Sequence, residues 1–189
     1  MEKSNMARNG YILISVVFYI AGLLHMVWHG APPLMCCIAG GVILIIYGMI
    51  KITGYLSDDL YCLAFQYDLG CGLFLIVTGI LVLACNLRIW QYFSRGLGFL
   101  ILLDSLMKMQ MSREAREFGL KSWNLILAFA VAAGSFGVLI AAELFQAETV
   151  LRVITGCGLL AEGALNHLVV KDAVYVTKRH ALPDKDGEE

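Results

Sequence analysis

Three pairs of residues carry what chemistry this chain can offer: Tyr47 with Lys51, Asp104 with Lys108, and Glu162 with Asn166. Each pair is spaced i, i+4, which puts both side chains on one face of a helix. Asp104 and Glu162 lie inside apolar runs, where an ionised side chain at bilayer depth costs about 3 kcal/mol on insertion scales. A carboxylate there requires a partner or a proton. Two readings follow. In one, the three pairs face each other as a polar pocket whose carboxyls exchange protons. In the other, Asp104 and Lys108 neutralise one another and Glu162 is protonated or bonded between helices, as interhelical glue. Lys51 and Lys108 also have the length to snorkel to the interface.

Other constellations are weaker. Ser135, between Gly134 and Gly137, precedes His167 by one helix, the order expected of an intramembrane serine protease. Their depths disagree, roughly 18 Å against 5 Å from the same end, at about 1.5 Å per residue. No HExxH, GxSxG or Walker pattern is present, so no enzyme is expected. The six cysteines form no CxxC pair and the four histidines do not cluster, so neither a disulfide frame nor a structural metal is expected, and no cofactor. His25 and His29 sit beside Trp28, as acid sensors or as interfacial anchors. Arg95, Arg152 and Glu143 lie near the outer surface, where Glu143 and Glu148 have the reach to pair with Arg152, but a solvated rim is the favoured reading.

The elements that must position these residues are membrane spans. Of 189 residues, 59% are hydrophobic and 15% charged, with mean hydropathy +0.75, against roughly 25% charge in an average soluble domain. Apolar runs place six transmembrane helices, near Tyr11 to Trp28, Leu34 to Tyr55, Tyr67 to Cys85, Trp90 to Met109, Trp123 to Ala142 and Val150 to Val170. The net charge is -1 and no basic stripe exists, which excludes nucleic acid as a partner.

Offsets of 57 and then 58 residues superimpose the odd spans on one another, and likewise the even spans. In the odd spans Ser15, Gly72 and Ala130 align, and Gly22, Gly79 and Gly137 align seven residues later. In the even spans Gly41, Gly98 and Gly156 align, followed by Gly48, Ser105 and Gly163. Seven residues make two turns, so each helix carries one seam of small residues. Lipid gives helices no hydrophobic reason to associate, and close backbone approach at such seams supplies packing energy. The fold expected is an all-α integral membrane bundle of three repeated hairpins, about residues 11–60, 68–117 and 126–175, with pseudo-three-fold symmetry. In the same register Tyr47, Asp104 and Glu162 occupy equivalent positions.

Eleven of the 14 lysines and arginines fall at one set of span ends, leaving only Arg88, Arg95 and Arg152 at the other. This predicts a cytoplasmic N-terminal segment (1–10) and a polar cytoplasmic tail (179–189). The repeat argues that the first span is retained and is not a signal peptide. Ser57 is expected to cap a short helix beginning at Asp58 and Asp59, with Leu60 to Gln66 at the interface.

The spaced glycines, and the passage YGMIKITGYLSDDLYCLAFQYDLGCGLFLIVTGILVL from Tyr47 to Leu83, resemble the HdeD-like family of bacterial acid-resistance membrane proteins. The resemblance implies a six-helix protein of the bacterial inner membrane, linked in some members to surviving acid, and brings no substrate or cofactor. The expected function is therefore non-enzymatic acid or envelope-stress resistance. Its alternatives are a small proton- or ion-coupled transporter or channel using the carboxylate pocket, and a structural or lipid-organising subunit. The expected partners are membrane lipid and either a second copy of the chain or another membrane protein.

Overall fold

The computed structural model describes residues 2–28, 30, 32–56, 68–117, 119, 122–145 and 147–180, all of them helical or in turns and short connections. Five helices follow in order: α1 (Glu2–Val27), α2 (Pro33–Tyr55), α3 (Asp68–Glu117), α4 (Trp123–Ala141) and α5 (Glu148–His180). Each contains a stretch long and apolar enough to cross a bilayer, from 18 residues in Asp68–Cys85 to 24 in Glu148–Lys171. The reading of Ser57 to Gln66 and the polar tail beyond His180 lie outside the described residues.

The helices form because nothing in these runs interrupts them, and because in hydrocarbon every backbone amide needs an internal partner. Pro32 and Pro33 open α2, where a missing N–H costs nothing. α4 ends at Ala141 with Ala142 as its C-cap, and Glu143 turns the chain at φ 45°, a left-handed conformation that a side chain occupies at some cost. The first helix begins at Glu2, earlier than the apolar run that starts at Tyr11.

The third and fourth expected spans are joined in one helical element, α3, of 50 residues. It is not straight. The Phe74 and Phe99 rings are 6.5 Å apart, and Cys71 Sγ is 3.8 Å from Asp104 Oδ1, although the two are 33 residues apart. In a straight helix that separation would be about 50 Å. α3 therefore doubles back between Leu83, which meets Gly41, and Phe93, which meets Gly40, and its arms run antiparallel.

Small residues mark the closest helix contacts. Gly41 meets Gly79 and Gly48 meets Gly72, which joins α2 to the first arm of α3. Gly98 meets Gly137, and Ser105 lies against Gly134, joining the second arm to α4. Gly22 meets Gly156 and Ser15 meets Gly163, joining α1 to α5. A methyl group added at Gly48 would come within 2.5 Å of the Gly72 carbonyl oxygen, so the two backbones touch only because both lack a side chain. Ala130, the remaining residue of the seams, is fully buried.

The outer surface is apolar, and the interior sets a cluster of charged and polar side chains within an apolar core. Met35, Ile38, Val42, Ile46 and Met49 form an exposed stripe along α2, and Leu13, Val16, Ile20, Leu24 and Val27 do so on α1. Lys51, Asp68, Asp104, Lys108, Glu162 and Asn166 are buried. This inverted arrangement suits a lipid solvent. α5 is the most enclosed helix, with 56% of its apolar window buried against 28–33% in the others, and its mean hydropathy is the lowest at 1.5. It can carry polar residues because it presents little of itself to lipid.

Candidate functional site

The six pocket residues expected from the i, i+4 pairs meet inside the bundle. Lys51 and Lys108 are 2% and 4% exposed, so neither snorkels; this corrects the interfacial reading of both. In place of water each ammonium finds two carboxylates, Lys51 two on α3, and Lys108 one on its own helix and one on α5. Lys51 Nζ lies 2.6 Å from Asp68 Oδ1 and 2.9 Å from Asp104 Oδ1. Lys108 Nζ is paired with both Asp104 Oδ2 and Glu162 Oε1. Asp104 and Lys108 thus do not form a closed pair, because Glu162 shares the ammonium.

Tyr47 closes the ring. Its hydroxyl lies 3.0 Å from Asp104 Oδ2 and 3.0 Å from Asn166 Oδ1, while Asn166 Nδ2 has no partner among the described residues. One hydroxyl proton cannot serve two acceptors. With the amide flipped, Asn166 donates to the phenol oxygen and Tyr47 donates to Asp104. The second member of each pair then meets the first member of the next: Lys51 with Asp104, Lys108 with Glu162, and Asn166 with Tyr47.

Two members were not foreseen from the sequence, Tyr11 and Asp68. The Tyr11 hydroxyl donates to Asp68 Oδ2, and Asp68 also accepts from Lys51. Both stand four residues before the aligned small residues Ser15 and Gly72, in register with Ile126, and that register was the available signal. Asp68 opens a span, where a carboxylate is ordinarily solvated, so its type and place alone do not mark it. Aromatic faces complete the enclosure. Lys51 Nζ is 5.7 Å from the Tyr11 ring centre and 5.0 Å from that of Tyr47, within cation–π range. Tyr47 also packs edge-on against Tyr11 at 6.3 Å and Phe18 at 5.3 Å.

The site has five ionisable chains of opposite sign: Asp68, Asp104 and Glu162 against Lys51 and Lys108. Fully ionised, it carries one negative charge in excess. Beside it is a cavity of ≈ 20 Å³ lined by Tyr11, Lys51, Asp68, Met107, Lys108, Met111 and Val169, room for about one water molecule. Among the described residues, no group of three histidines, cysteines or carboxylates is placed to hold a metal.

The other candidates lie elsewhere. Ser135 is exposed and donates to its own helix at the Val131 carbonyl, and His167 is also exposed. Neither faces the polar centre through any bond described. His25 is half-buried, and His29 lies outside the described residues. Glu143 pairs with Arg95 and not with Arg152, the alternative partner within reach by sequence, and the pair lies at an exposed rim. The cause is the doubled α3, which returns Arg95 to the end of α4.

No family model matches this chain, and no curated protein or solved structure is significantly similar to it.

Proposed function

We propose that this chain is a non-enzymatic multi-pass protein of the bacterial inner membrane that serves acid or envelope-stress resistance, with the buried carboxylate–lysine centre as its proton-binding part. One observation carries the reading: three carboxylates and two ammonium groups share one buried site inside the helical bundle. Ion pairing alone would be complete with two carboxylates, and the third makes the site responsive to a proton. The stress role itself rests on the HdeD-like resemblance of the Tyr47 to Leu83 passage.

The six-span, three-hairpin architecture belongs to the same reading. It is supported by the doubled α3 and by the contacts Gly41–Gly79, Gly98–Gly137 and Gly22–Gly156, which join equivalent positions of successive repeats and close the last onto the first. Both termini are assigned to the cytoplasm on the lysine and arginine count. Tags at the two ends should be inaccessible in intact cells, and labelling of either from outside would refute that orientation.

The function is tested by deleting the gene and restoring it as wild type or as Glu162→Gln, with survival at low pH as the readout. Loss on deletion, rescue by wild type and failure of the variant are expected. Full survival without the gene would overturn the reading. A proton- or ion-coupled transporter is the second reading, favoured by the water-sized cavity against Lys51 and Lys108. It requires that the purified protein in liposomes moves protons and that Glu162→Gln stops the flux. Tight liposomes with acid-sensitive deletion cells separate the first reading from the second.

A further inference from the structure

The three carboxylates are not equally provided with hydrogen-bond donors. Asp104 is met by Lys51, Lys108, Tyr47 and the Cys71 thiol, and Asp68 by Lys51 and Tyr11. Glu162 has Lys108 as its one donor and the Asp104 carboxyl as its other polar neighbour, and its Oε2 is buried with no partner among the described residues. Donors stabilise an ionised carboxylate, and a buried oxygen without one is a poor place for negative charge.

The surroundings of Glu162 sharpen the contrast. From α2 it faces Tyr47 and Lys51 across the ring, from α3 Asp104 and Lys108, and on its own helix Asn166 stands one turn away. Tyr11 and Asp68 complete the far side. α4 contributes only apolar groups to the core, Ile126, Ala130 and Ala133, where a repeat-equivalent of Tyr11 and Asp68 would stand at Ile126. Glu162 and Asp104 are brought together on one ammonium, and two carboxylates that share one site do not both ionise.

We propose that Glu162 is a proton-binding site: it holds the single proton that balances the buried cluster, leaving Asp68 and Asp104 ionised against Lys51 and Lys108. This rests on the proton-binding reading of the centre and names the residue that carries the proton. The neutral Glu162 carboxyl still accepts from Lys108 through its carbonyl oxygen, and its hydroxyl proton is the exchangeable one. The nearest space for a water is the cavity on the other side of Lys108, which Glu162 itself does not line.

Infrared spectroscopy of the purified full chain in lipid nanodiscs tests this, through the C=O stretch of a buried protonated carboxyl. The wild-type protein at neutral pH should show one such band. The band should shift when glutamate side chains carry carbon-13 at the carboxyl, stay in place when aspartates do, and vanish in Glu162→Gln. Lys108→Met, which removes a positive charge, should carry two protonated carboxyls and double the band. A band that shifts with labelled aspartate, or a folded wild-type protein with no band, overturns the assignment. The isotope arms use the wild-type chain, so they do not depend on any variant folding. A glutamate band in a protein whose deletion leaves acid survival unchanged would sustain this site and sink the stress function.

Discussion

The molecule has two regions where opposite charges meet, and they differ in everything but chemistry. At one, Arg95 pairs with Glu143, with side chains 51% and 31% exposed. At the other, Lys51 and Lys108 pair with Asp68, Asp104 and Glu162, none more than 8% exposed. Water and salt screen the first pair, and its partners lose little on separation. The second has no such refuge, so each partner there is held by what the others supply. The contrast teaches that pairing of charges in this bundle is a rim decoration in one place and a condition of assembly in the other.

Breaking the buried region at its most shared group should have the largest effect. Lys108→Met leaves Glu162 without an ammonium and the cluster with three carboxylates against Lys51. Loss of one partner of a buried pair costs about 3–5 kcal/mol, and that is the destabilisation expected near neutral pH. The excess charge is negative, so protons relieve it. Unfolding in detergent micelles should therefore show a smaller deficit at about pH 5 than at about pH 8, because protons bind the variant's folded cluster more than the unfolded chain. An equal deficit at both would mean that Lys108 contributes packing and not charge.

The two carboxylates on Lys108 should also separate. Asp104→Asn puts an amide among Lys51, Lys108 and Tyr47, replacing an acceptor by a group that can donate toward two ammoniums. Glu162→Gln places a neutral side chain where a neutral acid is proposed. The first should cost about 2 kcal/mol and the second under about 1 kcal/mol. Thermal unfolding of both variants in the same micelles is the measurement. A reversed order would assign the proton to Asp104.

The residues that line this centre were largely legible because the repeat gave them a register. Tyr47, Asp104 and Glu162 align, their i+4 neighbours follow, and helix geometry then requires each pair to share a face. What lies between helices was not legible. Nothing in the spacing says that Lys51 crosses to Asp68 and Asp104, or that Lys108 joins Asp104 to Glu162, since those contacts depend on which seams pair. The seams themselves were visible as Gly41, Gly48, Gly72 and Gly79, but not that each even helix packs on the next odd one. Asp68 escaped notice for a related reason: a carboxylate at a span end is ordinarily wet, and only the fold puts Tyr11 and Lys51 over it. For Glu143 the sequence offers Arg152 as the nearer cation, while the doubling of α3 brings Arg95 to it instead.

The smallest effect belongs to the rim. Arg95 also lies over the Tyr92 ring at 5.8 Å, so its stem keeps a contact when the carboxylate is lost. Glu143→Gln should leave thermal unfolding unchanged, and Arg95→Ala should do the same within measurement error, at low and at high salt. The backbone at Glu143, with φ 45°, gives the comparison its most sensitive probe. Glu143→Gly removes both the ion pair and the left-handed side chain, and should raise stability slightly, since glycine takes that conformation without the Cβ penalty. If it lowers stability and Arg95→Ala does too, the Arg95 pair is holding the end of α4 onto α3, and the rim would share the buried region's structural role.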